Sequence, residues 1–310
     1  MIEQSAAVHL SHPISALPSK KFPEWLTFLL WCAPNLLLFL VFTYYPFFFN
    51  IYISLTKWNF LNPAPIFVGV ENYLRLFQDS DFWRVLLNTL VYAFCTVFIA
   101  QTLAFVLALL LNRPYRGMTF FRLLVFTPQV TIGAAAALIW ILLLDPQQGP
   151  LSILYHWLEI PGLRWLANSN TALWAIILVG IWRECSFSAI FFWAGLQNLS
   201  SEVLDAARVD GASSWVLLYR IILPLMTPMI FFLMVSGLIQ AVKVFDLVAI
   251  MSEGGPVYPA SATFVYHLYK LAFRDFQAGS ASALAIIFFV LIFGLTLVQL
   301  KSSQRWVHHG

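Results

Sequence analysis

The sequence predicts an all-α, polytopic membrane protein with six transmembrane helices and a folded cytoplasmic loop. Three observations carry that prediction. Hydrophobic residues make up 61% of the 310 residues and charged residues 10%, against about 45–50% and about 25% in soluble domains. Mean hydropathy is +0.81 over the whole chain, too high for a single anchor. Six apolar stretches each reach the roughly 20 residues that cross about 30 Å of hydrocarbon.

Residues 1–23 are mostly polar and include Pro13, Pro18, Lys20 and Lys21. They read as a cytoplasmic tail, because the apolar run that follows is too long for a cleavable signal. The first span is Trp25–Leu55, interrupted by Pro34 and Pro46. Residues 56–84 hold a predicted amphipathic helix, with Tyr73, Leu74 and Phe77 on one face, lying at the outer membrane interface. The second span is Val85–Leu111, the third Arg122–Leu144, the fourth Ala172–Leu196, the fifth Leu223–Met251 and the sixth Ser280–Leu300. The segments 145–171 and 252–279 are rich in Pro, Gly and aromatic residues, as an outer vestibule or docking surface would be. Membrane-interface anchoring by Trp and Tyr is the plainer reading of those aromatics. Residues 24–305 thus form one membrane domain, and 306–310 a short cytoplasmic tail.

Orientation follows from the basic residues. With the N-terminus inside, the inner segments hold Lys20, Lys21, Arg113, Arg116, Arg122, Arg208, Arg220, Lys301 and Arg305. The outer segments hold Lys57, Arg75, Arg84, Arg164, Lys270 and Arg274, together with seven acids. Both termini are therefore expected in the cytoplasm.

Several function classes are excluded or disfavoured. The net charge of +3 carries no dense basic patch, which argues against nucleic acid as a partner. Cys32, Cys95 and Cys185 lie far apart in apolar runs and read as small buried hydrophobes. The histidines lack metal-ligand spacing on one helix, so no metal site is expected. No G-x-x-x-x-G-K-[ST] phosphate loop occurs, and the outer Gly254-Gly255-Pro256 has no lysine to serve as one.

The most informative stretch is polar. Between the fourth and fifth spans, Ser200–Pro224 holds Glu202, Asp205, Arg208, Asp210 and Arg220, and such charges are expelled from a bilayer core. Ser200 or Ser201 is placed to cap a helix whose first turn carries Glu202 and Asp205. Val203, Leu204 and Ala207 share a face, and Ala206 and Ala207 are small enough for close approach. Asp210-Gly211 signals a turn. Ser213 or Ser214 can cap a second helix, with Trp215, Leu218 and Ile222 expected to point inward. The result is a helix–turn–helix elbow feeding the fifth span, longer than a plain connection requires.

That elbow resembles the EAA loop of ATP-binding-cassette importer permeases: E-A-A, three residues, G, nine residues, then I-x-L-P. Here the pattern reads Asp205-Ala206-Ala207, Gly211, then Ile221, Leu223 and Pro224. Asp205 replaces the usual Glu, keeping the charge on a shorter arm. Gly69–Phe77, Phe82-Trp83, Asn88-Thr89, Phe121–Val130 and Ile139–Gly149 resemble the carbohydrate-type permeases, nearest the maltose and glycerol-3-phosphate group, from about residue 25 to 305.

The resemblance implies a non-catalytic subunit of a bacterial inner-membrane importer. Its elbow would be the coupling helix, with Glu202, Asp205, Ala206, Ala207, Asp210, Gly211, Leu223 and Pro224 docking in a cytoplasmic ATPase. ATP and Mg would sit on that ATPase, a second permease subunit would complete the path, and an extracytoplasmic solute-binding protein would deliver the solute. A sugar, a glycosyl-glycerol-type osmolyte and glycerol-3-phosphate all stay open as cargo.

Polar and aromatic residues within spans are the candidates for the path. They are Gln129, Trp182, Arg183, Glu184, Trp193, Gln240, Lys243 and Asp246, with Asn88, Gln101 and Trp140 beside them. Lys243 and Asp246, three apart on the fifth span, are expected to pair. Structural ion pairing between helices explains these charges as well as a pathway does. Two rival functions stand. An ion-coupled secondary transporter would usually show internal repeats, and none is found. A membrane-embedded enzyme needs convergent acid, base or metal groups near a span end, and none is evident.

Overall fold

The computed structural model describes residues 23–113, 115–159, 162–252 and 258–306. Residues 1–22, the Gly254-Gly255-Pro256 stretch and the last four residues lie outside the described residues. The chain divides into two compact units, with the boundary between Asn50 and Ile51.

The first unit is built on α1 (Glu24–Phe39), a π-helical turn (Leu40–Tyr44) and the start of α2 (Tyr45–Ser54). Pro46 cannot donate a hydrogen bond to Phe42, and its ring would crowd that carbonyl in an ordinary helix. The π-turn just before it widens the helix and relieves the conflict. The apolar side chains are exposed, Trp31 by 82% and Phe42 by 73%, as a lipid-facing helix requires.

The second unit begins with a two-stranded antiparallel hairpin, β1 (Thr56–Lys57) on β2 (Ile66–Phe67), followed by α3 (Glu71–Gln78). Helix α3 buries Asn72 and Leu76 against the protein; of the face expected at the outer interface, Leu74 and Phe77 are exposed and Tyr73 is half-buried. Asn72 donates to the Ser54 and Thr56 carbonyls, both at 2.8 Å. Those hydrogen bonds hold the helix with Leu74 and Phe77 exposed.

The central pair is α4 (Ser80–Leu111) against α8 (Ala172–Gln197). Ala93, Val97, Ala100, Ala104 and Ala108 line one face of α4 and are buried. Small residues at this spacing let two helices approach closely without a water-driven hydrophobic effect. Gly180 of α8 is one such contact, since a Cβ there would strike the Tyr92 hydroxyl. The remaining helices are α5 (Met118–Val130), α6 (Gly133–Leu144), α7 (Pro150–Trp157), α9 (Ser201–Val209) and α10 (Ser214–Leu217). A π-turn (Leu218–Ile222) then leads into α11 (Leu223–Leu225). The chain closes with α12 (Thr227–Val242), α13 (Asp246–Ser252), α14 (Phe264–Tyr269) and α15 (Ala278–Trp306).

Four continuous helical stretches are long and apolar enough to cross a membrane: Phe28–Ser54, Ser80–Leu111, Ala172–Gln197 and Ala278–Ser302. Two bent pairs bring the number to six, as the sequence predicts, but their shape differs from the prediction. The third span bends by 106° between α5 and α6, and the fifth by 62° at Met226. The fifth also ends early: α12 stops at Val242 and α13 starts at Asp246. Hydropathy reports lipid depth and cannot register a break flanked by apolar residues on both sides. Such breaks are tolerated where protein or water satisfies the freed backbone groups.

Candidate functional site

Two features stand out in the second unit: the elbow between α8 and α12, and a cavity among α4, α8 and α12.

The elbow is built from its own sequence. Its first helix, α9, has no buried residue, and Arg208 pairs with Asp205 at 2.7 Å along one face. Ser200 sits at the N-cap position, yet its side chain makes no capping bond. The helix ends in a Schellman turn. Ala212 N–H donates to the Ala207 carbonyl at 3.0 Å and Gly211 N–H to the Arg208 carbonyl at 3.1 Å. Gly211 adopts φ +82° to close it, a conformation side-chain-bearing residues resist. Ser213 then caps α10, its Oγ accepting from Val216 N–H at 3.4 Å.

Trp215 is not inward as expected: it is 69% exposed and stacks on Tyr219 with ring centroids 5.7 Å apart. Val209 is 87% exposed. Pro224 sits two residues beyond the π-turn, repeating the Pro46 device, and so permits a continuous helical rod from Ser214 to Leu225. The rod ends at the bend, where Met226 is buried and Thr227 Oγ donates to the Pro224 carbonyl at 2.7 Å. A Cβ on Gly195 of α8 would lie 2.8 Å from Met226 Cε. The bend is therefore wedged directly against α8.

The cavity has a volume of about 410 Å³. It gathers six of the sequence-predicted path residues: Gln129, Arg183, Glu184, Gln240, Lys243 and Asp246. Trp182 and Trp193 lie elsewhere. Trp182 packs edge-on against Trp140 at 5.7 Å, and the Arg122 guanidinium covers the Trp193 ring at 4.4 Å. Aromatic character alone did not separate wall from packing. Tyr92, Thr96, Phe187 and Ser236 line the cavity without having been singled out. The signal that could have found them is helical spacing: Thr96 and Tyr92 lie four apart on α4, and Phe187 lies four beyond Arg183 on α8.

Its charges are not arranged as the sequence suggested. Lys243 and Asp246 would pair on a continuous helix, but the break between α12 and α13 separates them. Asp246 instead faces Arg183 of α8, Oδ2 to Nη1 at 3.9 Å. Gly133, the first residue of α6, makes room: a Cβ there would overlap the Asp246 carboxylate and sit 2.9 Å from Arg183 Nη1. Glu184 accepts from Gln101 Nε2 at 3.4 Å and Ser188 Oγ at 3.3 Å. Gln101 also donates to Ser188 Oγ at 2.9 Å and the Leu233 carbonyl at 3.3 Å, tying α4, α8 and α12 together.

Asn88 proves to be a tether rather than a path residue. Its amide reaches the carbonyls of Pro259, Ala260 and Ala262 at 2.9, 3.0 and 3.1 Å. Thr89 Oγ accepts from Phe264 N–H at 2.9 Å. The pair fixes the segment before α14 to the start of the second span. Tyr258 of that segment shares a hydrogen bond at 2.7 Å with His267 of α14. Burial holds the His267 imidazole below its usual range. The Cys residues are free, and only Cys185 is fully buried.

No family model matches the chain. It is 34% identical over 283 residues to the probable ABC transporter permease protein YesP of Bacillus subtilis, covering 89% of this chain and 90% of that protein. It is 29% identical over 297 residues to the sn-glycerol-3-phosphate transport system permease protein UgpA of Agrobacterium fabrum, covering 95% and 100%. A bacterial ABC transporter involved in import of the acidic polysaccharide alginate superimposes with a TM-score of 0.80 at 23% identity, over 92% of this chain and 97% of that one. A bacterial alginate ABC transporter in complex with an alginate pentasaccharide-bound periplasmic protein gives 0.79 at 23% identity, over 93% and 96%. The sequence likeness spans both features, elbow and cavity, and the chain belongs to the permease proteins of ATP-binding-cassette transporters.

Proposed function

We propose that this chain is one permease subunit of a binding-protein-dependent importer, and that the elbow couples it to a cytoplasmic ATPase. The observation that carries the reading is the elbow's construction. A nine-residue helix with no buried residue is held by a Schellman turn on a rod that ends in a buried bend. A helix with no buried residue gains little from its own chain's core, so its retained shape suits an external partner. Glu202, Asp205, Ala206, Ala207 and Asp210 would face that partner, Gly211 shapes the turn, and Leu223 and Pro224 belong to the rod. Motion of the docked partner would turn the rod about Met226 and shift α12 along the cavity wall.

On this reading ATP and Mg are bound by the partner ATPase, and this chain contributes no catalytic group. Both termini and the elbow lie in the cytoplasm of a bacterial inner membrane. A second permease subunit completes the path, and an external solute-binding protein supplies the cargo, in keeping with the pentasaccharide-bound periplasmic protein found in complex with the alginate transporter. The cargo is a sugar, a glycosyl-glycerol-type osmolyte or glycerol-3-phosphate, the last being the solute in the name of the UgpA relative. A cavity of about 410 Å³ with amide, hydroxyl and aromatic lining suits such a solute.

The test is uptake by proteoliposomes holding the assembled complex and its receptor. Uptake should require ATP inside the cytoplasmic face and ignore ion gradients. Uptake driven by a proton or sodium gradient without the ATPase would replace this reading with a secondary transporter.

A further inference from the structure

We propose that the solute carries an oxyanion, a phosphate or a carboxylate, and that Lys243 receives it in the cavity. This rests on the cavity being the translocation path. Four charged side chains line the cavity: Arg183, Glu184, Lys243 and Asp246. Three have partners within the protein. Arg183 faces Asp246 at 3.9 Å, and Glu184 is held by Gln101 and Ser188. Among the described residues, neither Glu184 nor Lys243 makes an ion pair, but Glu184 is held by hydrogen bonds and the Lys243 side chain is not. It is exposed to the cavity at the point where α12 ends.

Its freedom is a consequence of backbone design. A continuous helix would have put Asp246 one turn from Lys243 and neutralised it. The chain leaves the helix after Val242, and Asp246 turns to Arg183 through the space left by Gly133. A cation without a partner is costly at membrane depth unless it meets water or a ligand. Beside it, Gln129, Ser236 and Gln240 offer hydrogen bonds for hydroxyls, and Phe187 offers an apolar face. The set fits a hydroxylated body with one negative end. The structural alternative is that Lys243 merely complements the carbonyls at the α12 terminus, and it makes a different prediction.

The experiment is equilibrium binding to the permease–ATPase complex in nanodiscs. The probes are radiolabelled sn-glycerol-3-phosphate and digalacturonate, with glycerol and galactobiose as neutral counterparts. At least one oxyanion probe should bind better than its neutral counterpart. Lys243→Gln should weaken it about 10- to 100-fold, the range expected for losing a hydrogen bond to a charged group, and Lys243→Arg should restore most of it. Phosphate-probe binding alone or carboxylate-probe binding alone identifies which oxyanion is carried. Binding of neither oxyanion probe overturns the inference. So does Lys243→Gln binding an oxyanion as tightly as the parent, which is the structural alternative's outcome. ATP-dependent uptake of native cargo is measured on the same preparation and tests the permease reading separately.

Discussion

Replacing Gly211 separates the elbow's internal shape from its docking. Gly211 holds φ +82°, and a Cβ built on it meets no atom within 4 Å. Alanine therefore clashes with nothing and carries only the left-handed backbone penalty, about 1–2 kcal/mol. Asparagine tolerates that region better and should cost less. A penalty of that size shifts the elbow's conformational equilibrium by roughly 5- to 30-fold. Tryptophan carries a backbone penalty too, together with bulk that a docked partner would meet. The assay is receptor-stimulated ATP hydrolysis and uptake in proteoliposomes, at matched membrane insertion and thermal stability. The expected order is Gly, then Asn, then Ala, with Trp lowest and its uptake lost. Equal activity of all four variants would refute the reasoning. Ala falling as low as Trp would show that shape alone matters and remove the docking part.

Three further expectations follow from the geometry. Asn88→Ala removes donors from three carbonyls and should cost about 1–3 kcal/mol locally, seen as faster hydrogen exchange in residues 258–264 with the spans unaffected. Gly133→Ala should impair uptake by displacing Asp246 from Arg183, and Asp246→Ala should relieve that impairment, a non-additivity that a double-mutant cycle reads directly. His267 lies between the fifth and sixth spans with its folded-state pKa lowered by burial. Above the unfolded value, about 6.5, both states are neutral and nothing is lost. As pH falls through about 6.5 the unfolded state takes the proton first, so stability declines until the folded pKa is reached. Thermal melts from pH 8 to 5 should show this fall, and His267→Gln should flatten it.

The elbow was readable because its determinants are local. Asp-Gly fixes the turn, Ser213 the cap, and the charges keep the stretch out of lipid. Two expectations fail for different reasons, one through a local stacking contact and one through a contact between helices. Trp215 lies outward because its stacking partner, Tyr219, is on the same exposed face. The fifth span breaks after Val242 although its hydropathy is continuous, so the expected Lys243–Asp246 pair gives way to a pair with Arg183 on another helix. The cavity's polar residues were recognisable as groups that cannot face lipid. Which of them share a wall depended on helix breaks that an apolar pattern does not mark.

The central claim is that the exposed face of α9 docks on an ATPase. It is tested most directly by crosslinking Ala206→Cys, in a chain freed of its three native cysteines, to single cysteines in the partner's surface. The account predicts an efficient crosslink to the ATPase subunit, changed by nucleotide and lost with Gly211→Trp. No crosslink across reagents of several lengths, in a complex that hydrolyses ATP and transports, would contradict it.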